Sequence, residues 1–227
     1  MKKKQAGFTL VEIAIVLVII GLLLGGILKG QELISNAKVR NIADQQNAVK
    51  AAYFAFQDRF RALPGDYSKA TDNIPNVAAG SNGDGNAQIT GNESVYAWHH
   101  LTNAGFISCS ACAPTPADPT AASDQNSPVN AFGGVMLIVF DNLYNNAATD
   151  TGPPANNIKS GNQIPSNVMA EVDRKIDDGN PRTGALRFSK YAAPTSTPPT
   201  AATCAETGSD NWKVTTVNSN CGSANLL

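Results

Sequence analysis

An α+β architecture is expected for this chain of 227 residues: one long N-terminal helix, apolar in its first half, packed against a small globular head with an antiparallel β-sheet. Three observations lead there. Phe8 to Leu28 is an apolar run whose polar members are only Thr9 and Glu12. From Leu33 to Leu63 there is no proline, and apolar residues recur at helical spacing. After residue 64 the sequence becomes rich in Pro, Gly, Asn, Ser and Thr, with short periodic segments between them, as in a loop-rich head. With 42% hydrophobic residues and 18 acids against 17 bases, the chain fits one folded domain plus an appendage.

Taken in order, residues 8–28 are long enough to cross a bilayer, since about 20 apolar residues span the hydrocarbon core. Residues 29–63 read as the amphipathic continuation, with Leu33, Ile34, Ile42, Val49, Tyr53, Phe56 and Phe60 on a buried stripe. Together they make a helix of about 55 residues, roughly 80 Å long at 1.5 Å per residue. "LPGD" at Leu63–Asp66 ends it, because Pro64 disfavours helix at the preceding residue and Gly65 permits a turn. In the head, residues 64–227, Ser94–Ile107 reads as a short helix with Val95, Trp98, Leu101 and Phe106 inward and Gly105 at its end. Gly133–Tyr144 holds a continuous apolar run typical of a buried strand. Ser166–Gly179 reads as a helix with Val168, Met169, Val172 and Ile176 on one face and Ser166 as N-cap. Thr183–Tyr191 and Asn211–Ser219 read as strands.

The start of the chain carries the functional signal. Lys2, Lys3 and Lys4 precede the apolar run, so the positive-inside tendency keeps them cytoplasmic and sends the bulk of the chain outward. A cleaved secretory signal has a shorter apolar region, of about 7 to 15 residues, before a small-residue site. "SNA" at Ser35–Ala37 imitates such a site. A plain anchor explains length and orientation but not Glu12, a carboxylate costly in hydrocarbon.

"KKKQAG" followed by "FTLVEIAIVLVIIGLLL" resembles the class III signal of type IV pilins and of the pseudopilins of type II secretion. The resemblance implies a leader at residues 1–7, cleavage by prepilin peptidase between Gly7 and Phe8, and N-methylation of Phe8. It implies that Glu12 pairs with the cationic amino group of Phe8 in the adjacent subunit and so sets register during assembly. A carboxylate close enough to the interface to snorkel is the plainer alternative. The implied partners are other pilin or pseudopilin subunits, an inner-membrane assembly platform and the inner membrane itself. The implied location is a single-pass inner-membrane protein with a periplasmic head, later part of a filament. Loss of Lys2, Lys3 and Lys4 changes the formal count from 17 to 14 bases against 18 acids, from −1 to −4. Many pilins have a proline midway along the apolar helix; here Gly21, Gly25, Gly26 and Gly30 stand as points of local weakness or of close packing. "LPGDYSKA", "AWHHLTNAGFI" and "EVDRKIDDGNPRTGALR" also resemble segments of uncharacterised pilin-like proteins. The competing reading is a signal-anchored periplasmic protein, with or without calcium, outside any filament.

Other signals are weaker. No basic patch points to nucleic acid. No nucleophile motif, phosphate loop or paired active-site carboxylates stands out, so no enzyme is expected. His99 and His100, the two histidines, point about 100° apart on a helix and make a poor two-ligand face. Asp173, Asp177 and Asp178 read as a catalytic or metal cluster or as a solvated face. "NGDGNAQITGNE" places Asn82, Asp84, Asn86 and Glu93 at EF-hand-like positions for calcium, with Ala87 where the loop needs glycine; the alternative is an Asn/Gly turn. Four cysteines behind an apolar N-terminus indicate disulfides in an oxidising compartment. Of three possible pairings, Cys204 with Cys221 is favoured, since it brackets a turn and a returning strand and resembles the C-terminal disulfide loop of many pilins. Cys109 with Cys112 then closes a small ring, a local staple or a redox pair.

Overall fold

In the computed structural model, residues 9–112, 121–145, 151–206 and 210–227 are described. Helix α1 runs Leu10–Phe60. Its C-terminal end comes before Pro64: Arg61 takes a left-handed conformation (φ 54°) while its N–H still donates to Gln57 O at 2.9 Å. Arg61 thus takes the left-handed position that ends many helices, with Pro64 shortly beyond it. The chain forms two compact units, Met1–Lys38 and Val39–Leu227. The buried stripe starts with the second of these: Val39, Ile42, Ala43, Gln46, Val49, Ala52, Tyr53 and Phe56 are buried. Leu33 and Ile34, expected on that stripe, are both 60% exposed.

Past α1 the head holds a one-turn α2 (Ala70–Asn73), α3 (Glu93–Asn103), a 3-10 turn at Ser110–Cys112, β1 (Leu137–Asp141), β2 (Ala155–Lys159), α4 (Ser166–Ile176), β3 (Leu186–Phe188), a short α5 (Ala201–Cys204) and β4 (Ser223–Leu226). The strands form an antiparallel sheet in the order β1-β2-β4-β3, with Ile138 opposite Ile158, Ile158 opposite Asn225, and Leu186 also opposite Asn225. The α+β expectation holds. Two core clusters attach the sheet to α1. Val49, Ala52, Tyr53 and Phe56 pack with Trp98 and Leu101 of α3 and with Ile138 and Ile158. Val39, Ile42 and Ala43 pack with Val168, Met169 and Val172 of α4, with Leu186 and Phe188, and with Trp212. Lys50 Nζ adds a polar tie, donating to Leu226 O at 2.8 Å and Asn225 Oδ1 at 3.2 Å.

Three readings are corrected. Asn211–Ser219 is not a strand: Trp212 makes an isolated bridge to Ala205, and the C-terminal strand lies at β4. Ser166 is not the N-cap of α4; Pro165 holds that position, and Ser166 Oγ instead accepts from Asn218 N at 3.1 Å. β1 is an edge strand, with Ile138 fully buried between half-buried neighbours, so its apolar run is not sandwiched on both faces. At the end of α3, Gly105 (φ +81°) does end the helix, with Phe106 N–H turning back to Leu101 O at 2.9 Å.

Candidate functional site

Gly7 and Phe8 lie outside the described residues. Immediately after them, Thr9 and Glu12 build the start of α1. The N–H and hydroxyl of Thr9 both donate to Glu12 Oε2 at 2.8 Å, and Glu12 N–H approaches Thr9 Oγ1 at 3.3 Å. This is a capping box: the N-cap hydroxyl serves a free N–H of the first turn and the carboxylate three residues on serves the N-cap N–H. It also places the carboxylate at the positive end of the helix dipole. Glu12 therefore has a local partner, a role invisible to the hydropathy reading although "TLVE" contains it.

Behind the cap, the apolar residues of α1 are uncovered, from Leu10 at 90% exposure to Ile20 at 46%. An 18-residue window of this helix has mean hydropathy 2.8, none of it buried, so it is long and apolar enough to cross a membrane. A Cβ added at Gly21, Gly25, Gly26 or Gly30 would meet nothing within 4 Å. These glycines therefore relieve no crowding inside the chain.

The calcium set does not assemble as expected. Asn82 turns away, its Oδ1 accepting from Thr71 N at 2.9 Å and its Nδ2 donating to Thr71 Oγ1 at 3.0 Å. Asn86 Oδ1 accepts from Gln88 N at 2.7 Å. The acids that do converge are Asp84, Glu93 and an unforeseen Asp66, each offering an oxygen within 4.8 Å of the others. Their oxygens are held by the loop itself. Gly85 and Asn86 N–H donate to Asp66 Oδ1 at 2.7 and 3.0 Å, and Ala87 N–H to Oδ2 at 2.8 Å. Asp84 N–H donates to Glu93 Oε1 at 2.9 Å. The glycines serve this wrapping, since a Cβ at Gly83 would sit 2.2 Å from the Asp66 carbonyl carbon. Burial pushes the Asp66 carboxyl above its usual range, against the lowering by three amides. "LPGD" and "NGDGNA" are thus two halves of one turn, a link across sequence that periodicity does not reveal.

The histidines are buried within α3, His99 2% and His100 0% exposed. Gly65 N–H donates to His100 Nδ1 at 2.9 Å, so the ring proton sits on Nε2, 2.7 Å from Ser81 O. The ring stacks between Phe56 and Tyr96, at centroid distances of 6.2 and 6.5 Å. Ala78 N–H donates to His99 Nε2 at 3.1 Å. Burial drives both pKa values down to about 4, so both rings are neutral at pH 7. They fasten the loop Gly65–Ser81 to α3.

Asp173, Asp177 and Asp178 also converge, and each is engaged. Trp212 Nε1–H donates to Asp173 Oδ2 at 2.6 Å, Leu186 N–H to Asp177 Oδ2 at 2.7 Å, and Thr183 Oγ1–H to Asp178 Oδ2 at 2.6 Å. Burial raises the Asp173 pKa to about 6, with the indole bond opposing. The cysteines are joined Cys109–Cys112 and Cys204–Cys221, and the second bond closes the loop that carries Trp212.

Comparison with known proteins bears on one end of the chain. No curated protein and no solved structure matches it. Residues 2–28 match the family model of the prokaryotic N-terminal methylation motif. That span covers the three lysines, the position of the expected cut, the Thr9–Glu12 cap and the uncovered apolar segment. The chain carries at its N-terminus the type IV pilin/pseudopilin signal.

Proposed function

We propose that the chain is a structural, non-catalytic subunit of a type IV pilus-like or type II secretion pseudopilus filament. Prepilin peptidase cuts after Gly7 and methylates the amino group of Phe8, and the subunit assembles through its N-terminal helix. The observation that carries this reading is the methylation motif at residues 2–28, whose apolar part belongs to a membrane-length segment with none of its residues buried. Such a surface needs a covering. In the inner membrane lipid supplies it, with the head in the periplasm; in a filament neighbouring helices do.

The cap supports the assembly step. Both Thr9 donors go to Glu12 Oε2, and among the described residues Oε1 accepts no hydrogen bond, which leaves it for the Phe8 amine of an adjacent subunit. A charge pair in an apolar setting adds little net stability but penalises every register in which one partner is alone. Glu12→Ala and Glu12→Val should leave processing and membrane insertion intact and sharply reduce incorporation into filaments. Thr9→Ala, which weakens the cap by about 1 kcal/mol but keeps the carboxylate, should assemble far better than either. Normal incorporation of Glu12→Val would refute the pairing; equal defects in Thr9→Ala and Glu12→Ala would assign Glu12 to capping alone.

A further inference from the structure

The two disulfides differ in what they leave open to a reagent. Cys204 and Cys221 are both 0% exposed and Cys112 is 2% exposed, whereas Cys109 is only half-buried, packed with Phe106 and Ile107 against the rim of the core. Thiol–disulfide exchange begins when a thiolate reaches one of the two sulfurs, so access decides which bond it finds. Of the four cysteines, Cys109 alone offers that approach.

The consequences of opening differ as well. In the chain-entropy model a cross-link acts by restricting the unfolded chain, and the effect grows with the ring it closes. Cys109 and Cys112 are 3 residues apart and Cys204 and Cys221 are 17 apart, so losing the short ring costs the folding equilibrium about tenfold less than losing the long one. Reduced Cys112 is still a small apolar side chain, in the core cluster that holds Trp98, Leu101 and Met136. The head therefore keeps its core, and the change is local. The bond closes the 3-10 turn Ser110–Cys112, which also has a backbone hydrogen bond from Cys112 N–H to Cys109 O at 3.2 Å. The carbonyl of Cys112 accepts a hydrogen bond from the buried ring of His99 on α3. The turn thus links a reducible bond to a buried imidazole.

We propose that Cys109–Cys112 is a redox-exchange site, opened and closed by a dithiol/disulfide partner while Cys204–Cys221 stays closed, and that its state sets how firmly the turn holds His99. A thiolate of the partner attacks Cys109 Sγ and forms a mixed disulfide; the Cys109–Cys112 bond breaks, and Cys112 Sγ leaves with the electron pair and takes a proton. The partner's second thiol then attacks the mixed disulfide and releases Cys109 as a thiol. Two thiols of the partner are oxidised to a disulfide, and the disulfide of the chain is reduced to two thiols. An oxidised partner runs the same steps backward. The test exposes the full chain in detergent to graded dithiothreitol, traps free thiols with N-ethylmaleimide and maps them by peptide mass. Cys109 and Cys112 should be trapped together at a lower reductant concentration than Cys204 and Cys221, with the circular dichroism of the head retained, and oxidised dithiothreitol should restore the bond. On opening, amide exchange in Ser110–Cys112 should accelerate and the His99 ring signal should shift by NMR. With glutathione disulfide, Cys112→Ser should form a mixed disulfide at Cys109, and Cys109→Ser should react at buried Cys112 about tenfold more slowly. Opening of both bonds together, opening of Cys204–Cys221 first, loss of the fold with the first bond, unchanged turn and His99 signals, or equal rates in the two variants would each overturn the proposal.

Discussion

Acidification should destabilise the head, and the part carried by His99 and His100 of α3 and Asp173 of α4 can be worked out. His99 and His100 have folded pKa values of about 4 against an ordinary 6.5. At about 1.4 kcal/mol per pKa unit, each contributes about 3 kcal/mol. The sign is that of a depressed base: the unfolded chain binds protons first, so this stability is complete above pH 6.5 and is lost as pH falls to 4. Asp173 acts oppositely. Its pKa is raised from 3.8 to about 6, so its ionised form costs the native state about 3 kcal/mol above pH 6, relieved as pH falls toward 3.8. From these three groups the head should lose about 3 kcal/mol between pH 7 and pH 4, roughly half of what the histidines alone dictate. Urea unfolding of the unit Val39–Leu227, followed by the fluorescence of Trp98 and Trp212, measures this directly. His100→Gln should be less stable than wild type at pH 7.5, and the gap should shrink by about 3 kcal/mol by pH 4, because one titration is gone. Asp173→Asn should steepen the acid loss. A constant gap between His100→Gln and wild type across that range would refute the neutral, buried imidazole.

The remaining predictions concern the head's fastenings. Replacing Cys204 and Cys221 together by Ser should cost about 3 kcal/mol in the chain-entropy model and lower Tm by about 6–12 °C, while cleavage after Gly7 is unaffected; calorimetry and N-terminal analysis read the two effects. Gly83→Ala should destabilise by about 1–3 kcal/mol through the clash with the Asp66 backbone, whereas alanine at Gly80, where an added Cβ meets nothing within 4 Å, escapes that clash and carries only its left-handed strain (φ +87°); denaturant midpoints separate them. Trp212→Phe removes a donor from the ionised Asp173, so it should raise that pKa further and cost about 2 kcal/mol at pH 8, with the loss narrowing at pH 5.

How far these features could be read from the chain depends on whether their partners are near in sequence. The apolar run, α3, α4 and the stripe on α1 all follow from residues three or four apart, and they appear where expected except that the stripe begins at Val39 and leaves Leu33 and Ile34 exposed. β2 and β4 do not, because "ANNIK" has one β-branched residue, Ile158, "SANL" has none, and neither holds an aromatic, which leaves too little of the composition that marks strands. They are strands because the ladder and distant partners make them so: Lys159, fully buried, is held by Asp141 Oδ1 at 2.7 Å. "NWKVTTVNS" has the strand composition but contributes one bridge, since the disulfide loop spends Trp212 on Asp173 and the core. At the helix start, Glu12 is legible both as an anomaly and as the fourth residue of a capping box. In the loop, the role of Asp66 is not legible in the sequence, because its three amide donors lie 19 to 21 residues away.

The most direct test of the filament-subunit account is the mass of the N-terminal peptide, from cells with and without prepilin peptidase. With the enzyme, the chain should begin at N-methylated Phe8 and lack Met1 to Gly7; without it, the lysines should remain. An intact leader in cells that contain the peptidase, or a start near Val39, would contradict the account.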